Sequence, residues 1–155
     1  RAENKEKFFI AALLHDVGKL LLDPWLAKNK DAIVACLRDG KVAPWEAERR
    51  VLGFDHAFVG SKLIENWNLP EILINVTRYH HTPEKAPLAY RKTVEIVQAA
   101  NIISRRIRGG LGGDLVPPDQ NMMDELQTVM PVDEEEVRSI IREVRTYLLH
   151  INSFI

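Results

Sequence analysis

The chain has 155 residues, of which 46% are apolar and 28% are charged, and this balance is typical of one ordinary globular domain. Its 21 Lys and Arg residues nearly cancel its 22 Asp and Glu residues, which disfavours a protein whose main task is to neutralise nucleic-acid phosphates. The single cysteine, Cys36, excludes an internal disulfide and a zinc site built from several cysteines, and it favours a reduced, cytoplasmic environment. Apolar runs all fall short of the roughly 20 residues that span a bilayer, so we expect no membrane segment.

Apolar residues recur every three or four positions along almost the whole chain, and this period predicts an all-α fold. The predicted helices cover approximately residues 4–14, 17–22, 24–38, 44–52, 55–67, 70–81, 91–107, 122–130 and 133–148. We expect four apolar side chains of the first helix to face inward: Phe8, Phe9, Ala12 and Leu13. Trp67, at the end of a later apolar stripe, is predicted to be fully buried.

Several predicted helix ends carry recognisable signals. Pro24 predicts the end of the second helix, because proline lacks the N–H that a helix interior needs. Gly53 predicts the end of the fourth helix, and Asp55 predicts the N-cap of the fifth. Asp133, with Glu136 three residues later, is typical of a capping box at the start of the last helix.

The distribution of glycine and proline predicts how the chain is divided. Residues 109–120 are rich in both, and we expect a loop there between a domain of residues 1–108 and a C-terminal helical extension of residues 121–155. The extension is predicted to pack on the domain. The chain opens at Arg1 with a polar turn that leads directly into an apolar helix, so we expect it to be a piece of a longer protein.

His15 and Asp16 lie where the first predicted helix ends, which frees both side chains to converge on one point. An imidazole and a carboxylate together suit a divalent transition metal, although a capping carboxylate beside a surface histidine explains the same pair. His56, His80 and His81 lie on predicted inward faces or at helix ends. They could complete a metal site, or they could be buried histidines bonded to backbone or carboxylate groups. The pattern alone leaves both interpretations open.

Short motifs along the chain resemble those of one protein family. They are Ala12-Leu13-Leu14-His15-Asp16-Val17-Gly18-Lys19-Leu20, Glu48 followed by Gly53-Phe54-Asp55-His56, Val59-Gly60, Trp67-Asn68-Leu69-Pro70 and Tyr79-His80-His81. Together they resemble the HDOD family, a branch of the HD superfamily of metal-dependent phosphohydrolases. The resemblance implies an HD-domain-like helical bundle for residues 1–108, whose first helices would precede Arg1.

The resemblance also implies metal ligands. In catalytic HD enzymes one metal is held by an upstream histidine, the His-Asp pair and a later aspartate. His15 and Asp16 match the pair, Asn101 stands where the later aspartate would fall, and the upstream histidine would precede this chain. A neutral amide oxygen offsets a dication less well than a carboxylate does, which impairs a hydrolytic centre. Asn101 on an inward face could also simply hydrogen-bond His15 or a backbone carbonyl.

In the two-metal HD-GYP branch, three histidines of this chain would match further ligands: His56, His80 and His81. Lys19 would lie near the phosphate as the catalytic residue of an active enzyme. Glu48, which the family pattern also carries, would support the site from behind the ligands. Here His81 is followed by Thr82-Pro83-Glu84 rather than by Glu and a Gly-Tyr-Pro stretch, which disfavours a cyclic-dinucleotide phosphodiesterase.

The resemblance implies, first, a bacterial signalling or regulatory HDOD domain with a degenerate, non-hydrolytic metal site. Its cofactor would be a divalent transition metal, Fe, Mn, Ni or Zn, or none. Its partners would be other signalling proteins or domains of a longer parent chain, with a nucleotide as a candidate ligand and neither a membrane nor a nucleic acid. The alternative is an active metal-dependent phosphohydrolase acting on a nucleotide or cyclic dinucleotide. A third interpretation is a purely structural helical interaction domain.

Overall fold

The computed structural model describes residues 2–40, 42–109 and 120–152. Within these ranges every regular element is a helix, which confirms the predicted all-α fold. The helices are α1 Ala2–Leu14, α2 Gly18–Lys28, α3 Lys30–Gly40, α4 Pro44–Leu52, α5 His56–Asn66, α6 Glu71–Tyr79, a 3₁₀ turn Pro83–Lys85, α7 Leu88–Gly109, α8 Gln120–Val129 and α9 Glu134–Asn152. None of the described helices is long and apolar enough to cross a membrane.

The chain forms two compact units, Arg1–Val97 and Gln98–Ile155. In the first unit, α5 packs against α2 and α6, and α6 also packs against α1. The apolar core of this unit consists of Ala11, Ile64, Leu73, Val76, Ala86, Val94 and Val97. Each fully buried Val, Leu or Ile contributes about 1.5 to 3 kcal/mol to stability. This core therefore fixes the relative positions of α1, α5 and α6, whose ends carry the histidines.

The second unit has an apolar core of its own, formed by the last part of α7 together with α8 and α9. It consists of Ala99, Ile102, Ile103, Met122, Met123, Leu126, Val137 and Ile141. The predicted capping box at α9 is confirmed: the Glu136 N–H donates to Asp133 Oδ1 at 2.7 Å, and the Asp133 N–H donates to Glu136 Oε2 at 3.4 Å. Residues 110–119 of the predicted loop lie outside the described residues. The domain boundary after residue 108 and the packing of the extension on the first domain stay predictions.

The helix ends around α5 follow the local signals. Gly53 ends α4 with a φ of 84°, a left-handed conformation that glycine adopts without a steric penalty. Asp55 then caps α5, since its Oδ1 accepts the Phe58 N–H at 2.8 Å. These two residues turn the chain so that α5 starts at His56, in the interior of the first unit.

The predicted end of the second helix at Pro24 is wrong, because α2 continues through it to Lys28. Proline leaves the carbonyl four residues earlier without its helical partner. Here the carbonyl is that of Leu20, and water can hydrogen-bond to it because Leu20 and Pro24 are both exposed. Buried Leu22 holds the opposite side of the helix against the core. The chain breaks instead at Asn29, whose side-chain and backbone N–H groups both donate to the Trp25 carbonyl.

Two predictions of burial are also wrong. Phe9 and Leu13 are 69% and 68% exposed, because α1 turns small Ala11 towards the core instead. Small side chains permit a close approach of helices. The 3.6-residue period fits both the face of α1 that carries Phe9 and Leu13 and the adjacent face that carries Ala11, so it did not distinguish them. Trp67 is 53% exposed, since it caps α5 one position beyond the helix and Asn68 (φ 54°) turns the chain immediately afterwards.

Candidate metal centre

Asp16 lies in the turn between α1 and α2, at a point where α2 touches α5. Gly18 and Gly60 allow this contact: a Cβ built on Gly18 would lie 1.9 Å from the His56 carbonyl oxygen and 2.7 Å from the Gly60 nitrogen. Only a residue without a side chain fits there. The close approach carries Asp16 to His56, with Asp16 Oδ1 3.2 Å from His56 Nε2.

His56 is held in one orientation from behind. Glu48 on α4 accepts two hydrogen bonds through Oε2, from the His56 backbone N–H at 2.9 Å and from Nδ1 at 2.6 Å. A carboxylate only accepts, so Nδ1 carries a proton and Nε2 is the ring nitrogen that faces Asp16. Metal-binding histidines are commonly oriented in this way by a carboxylate on the opposite ring nitrogen.

His80 and His81 follow directly after α6. The fully buried His80 donates from Nδ1 to the Thr77 carbonyl at 2.9 Å, which leaves its Nε2 facing Asp16 Oδ1 at 3.5 Å. His81 Nε2 lies 2.9 Å from His56 Nε2, and its ring stacks on Trp45 with centroids 5.5 Å apart. Consecutive residues at the end of a helix thus direct both imidazoles to one side.

Four residues together offer ligand atoms within 4.8 Å of one another: Asp16, His56, His80 and His81. Three of the separations are 2.9, 3.2 and 3.5 Å. Ligand atoms at the usual distance from a tetrahedral zinc ion lie about 3.3 to 3.6 Å apart. Small adjustments of the side chains would therefore bring the group to metal-binding geometry.

Unpaired polar atoms support the same interpretation. Asp16 Oδ1, His80 Nε2 and His15 Nε2 are buried and make no hydrogen bond, although Asp16 has imidazoles close by. A buried polar atom without a partner costs about 1 to 3 kcal/mol. Two of these atoms, Asp16 Oδ1 and His80 Nε2, belong to the four-residue group, and a bound cation would accept their lone pairs.

The electrostatics favour the protonation states that a metal requires at Asp16, His80 and His81, and oppose them at His56. Burial alone would raise the pKa of Asp16, but the neighbouring side chains of His15, His56, His80 and Lys19 lower it well below its usual range. Burial lowers the pKa of His80, and burial with the neighbouring imidazoles lowers that of His81 to about 2. For His56, Asp16 and Glu48 outweigh burial and raise the pKa. An ionised carboxylate and neutral imidazoles are the forms that bind metals.

The remaining predicted site residues lie in different places. His15 is adjacent to the group: its Nδ1 donates to the Ala12 carbonyl at 2.6 Å, and its Nε2 lies 3.3 Å from Asp16 Oδ2. Lys19 pairs with Asp16 Oδ2 at 2.6 Å on the exposed edge of the cluster. Asn101 belongs to the second unit, and its role as a ligand stays a prediction.

Sequence reasoning missed three residues that contribute to this site. Gly18 and Gly60 form the contact that brings Asp16 to His56, and the only available signal was their place in the family motifs. Trp45 on α4 stacks on His81. Its position on a different helix left no local pattern to reveal that contact.

Comparisons with known proteins agree with the fold and the motifs. Residues 1–83 match the family model of the HDOD domain. An uncharacterized protein of Treponema pallidum (strain Nichols) is 27% identical over 109 residues, which are 70% of this chain and 21% of that protein. The crystal structure of an HDOD domain protein with unknown function from Geobacter sulfurreducens aligns with a TM-score of 0.59 and 22% identity, over 94% of this chain and 51% of that one. The chain thus spans about a fifth of the first protein and about half of the second.

Proposed function

Because the chain belongs to the HDOD family, we propose that it is a bacterial signalling domain that binds one divalent transition metal in a closed, non-hydrolytic site. The group of Asp16, His56, His80 and His81 carries this proposal. Both similar proteins come from bacteria, and we place the domain in the bacterial cytoplasm as part of the same proposal.

The number of ligands supports a closed site. Structural zinc sites have four protein ligands, whereas catalytic ones have three and keep a position open for water or substrate. This cluster offers three imidazoles and one carboxylate, and the side chains of His56 and His80 are only 2% and 0% exposed. Imidazole and carboxylate ligands suit Fe, Mn, Ni and Zn.

The resemblance adds a second argument against hydrolysis. Asn101 takes the place of the aspartate that catalytic HD enzymes use, and a neutral amide is a poorer metal ligand than a carboxylate. A metal without an activated water would act on the fold, by tying α1, α5 and α6 together at one point.

Exposed apolar side chains support signalling through partner contacts. Phe9 and Leu13 on α1, and Leu20 and Trp25 on α2, are each more than half exposed. Large apolar side chains at the surface often mark protein interaction sites. The partners we propose are other signalling proteins or domains of a longer parent chain.

Elemental analysis tests the metal proposal. The protein, purified without added metal and then incubated separately with Zn²⁺, Mn²⁺, Ni²⁺ and anaerobic Fe²⁺, is expected to retain about one ion per chain after gel filtration. Asp16→Asn and His80→Ala should lose most of it. Asp23→Asn is the matched control, because Asp23 is an exposed carboxylate on α2 outside the cluster. Failure of the unmodified protein to retain any of the four metals would refute the proposal.

An active phosphohydrolase is the second candidate, favoured by the open edge of the site. Asp16 is 29% exposed, and half-exposed Lys19 beside it could contact a phosphate. A panel of nucleotides and cyclic dinucleotides, offered to the metal-loaded protein, decides between the two. We expect no turnover in the unmodified protein. Turnover that both His80→Ala and Lys19→Met abolish would establish the hydrolase instead.

A further inference from the structure

A second candidate site lies where α4 ends, α5 begins and α6 ends. Residues from these three helix ends and the following turn enclose a pocket of about 350 Å³: Arg49, Gly53, Phe54, Phe58, Arg78, Tyr79, Thr82 and Lys85. All belong to the first unit. The pocket shares no lining residue with the metal cluster, and it lies beside the cluster, since Tyr79 and Thr82 flank His80 and His81.

The charged groups that line the pocket are all cations. Arg49 is paired with the buried carboxylate of Asp55, which holds its guanidinium in place. Arg78 and Lys85 form no ion pair with any carboxylate of the described residues. Two uncompensated cations and the hydroxyl groups of two further lining residues favour a phosphate, whose oxygens accept from such donors.

The aromatic residues define the other half of the pocket. The Arg78 guanidinium lies 4.2 Å from the centre of the Phe58 ring, a cation–π contact that preorganises it for planar hydrogen bonding. Phe54 is partly exposed in the same lining. A pocket of about 350 Å³ lies at the small end of the range for small-molecule sites, which suits one base, sugar and phosphate.

From this combination we propose that the pocket binds a nucleoside monophosphate, with the phosphate at Arg78 and Lys85 and the base against the Phe54 ring. The proposal does not depend on the metal centre. It stands on the placement of two unpaired cations beside two aromatic rings in one concave site.

Calorimetric titration with AMP, adenosine, inorganic phosphate and phenyl phosphate tests the proposal. AMP should bind at least about 10-fold more tightly than adenosine and than inorganic phosphate, because each lacks one half of the recognised groups. Affinity should fall with added salt, as expected for a charged ligand at a partly exposed site. Equal binding of AMP and adenosine would overturn the phosphate assignment, and tighter binding of phenyl phosphate than of AMP would overturn the nucleotide assignment.

Variants locate the site. Arg78→Met and Lys85→Met should each weaken AMP binding about 10-fold, the loss expected for one charge-assisted contact. Lys92→Met is the matched control, an exposed lysine on α7 outside the pocket, and should leave binding within about 2-fold. Thermal melts check that each variant is folded. If Arg78→Met does not fold, Lys85→Met tests the proposal, because Lys85 is exposed. A chelator separates this pocket from the metal centre. If AMP still binds in its presence, the result supports the pocket. If the chelator abolishes binding, AMP binds at the metal centre and the proposal is overturned.

Discussion

Replacing Gly18 by alanine perturbs the contact on which the candidate metal centre depends. The new Cβ would lie 1.9 Å from the His56 carbonyl oxygen, 2.7 Å from the Gly60 nitrogen and 2.9 Å from the His56 carbonyl carbon. All three are backbone atoms, so no side chain can rotate away. Relief requires α2 to move away from α5 as a body, and Asp16, two residues before the substitution, must move with it.

The magnitude follows from the overlap. Ordinary van der Waals contact begins near 3.4 Å, so the 1.9 Å approach demands a displacement of about 1.5 Å. Inserting a methyl group into a packed contact typically costs about 1 to 3 kcal/mol, and a clash with rigid backbone belongs at the upper end. Alanine in a helix recovers at most about 1 kcal/mol relative to glycine. We therefore expect Gly18→Ala to lower the free energy of unfolding by about 2 kcal/mol or more.

Urea unfolding followed by circular dichroism measures the loss, with Gly40→Ala as the matched control. Gly40 ends α3, and a Cβ there would meet only side-chain atoms of Arg50 and Val42, at 3.1 Å or more. That variant should change the free energy of unfolding by less than about 1 kcal/mol. Gly18→Ala should also retain less metal than the unmodified protein does. Equal stability of the two variants would refute the close approach of α2 and α5.

Three further predictions concern single side chains. Trp67→Ala should cost less than about 1.5 kcal/mol in urea unfolding, because half of the ring is exposed, and a loss above 3 would place it in the core. Asp133→Ala should cost about 1 kcal/mol by removing the cap of α9, whereas Asp133→Asn should retain most of that stability, and equal losses would contradict the cap. In chelator-treated protein, stability should fall from about pH 7 to pH 5, since unfolded His81 binds a proton that its buried form, with a pKa of about 2, refuses. The lowered pKa of His80 adds to this fall in stability, and the raised pKa of His56 opposes it. His81→Gln should reduce the fall by up to about 2 kcal/mol. A fall that is unchanged in this variant would contradict the burial of His81.

Local signals in the sequence predicted the helices well, for a physical reason. Gly53, Asp55 and Asp133 satisfy backbone groups within a few residues of themselves, so their effect does not depend on the rest of the fold. The error at Pro24 has a different origin. Whether a proline ends a helix depends on which side of it faces water, and that is decided by the packing of Leu22.

The faces of the helices were harder to predict than their ends. In α1, apolar residues occupy adjacent stripes, and a periodic pattern alone favoured Phe9 and Leu13 over Ala11. The structure buries the alanine because α1 packs closely on α6. No local sequence pattern marks a large apolar side chain that lies at the surface, so periodicity could not distinguish Phe9 and Leu13 from core residues.

The candidate metal cluster depends both on local chemistry, which the sequence reveals, and on long-range packing, which it does not. The residue types of the cluster could be recognised in the sequence, since imidazoles and carboxylates are common ligands of divalent transition metals. Their convergence could not be derived from spacing, because it depends on a contact between Gly18 and Gly60, 42 positions apart. That contact places a carboxylate against His56, and Glu48 and the Thr77 carbonyl fix the imidazoles that face it. A glycine pair thus shapes the candidate metal centre without supplying a ligand, and this is why the expected loss of metal in Gly18→Ala tests the architecture separately from the ligands.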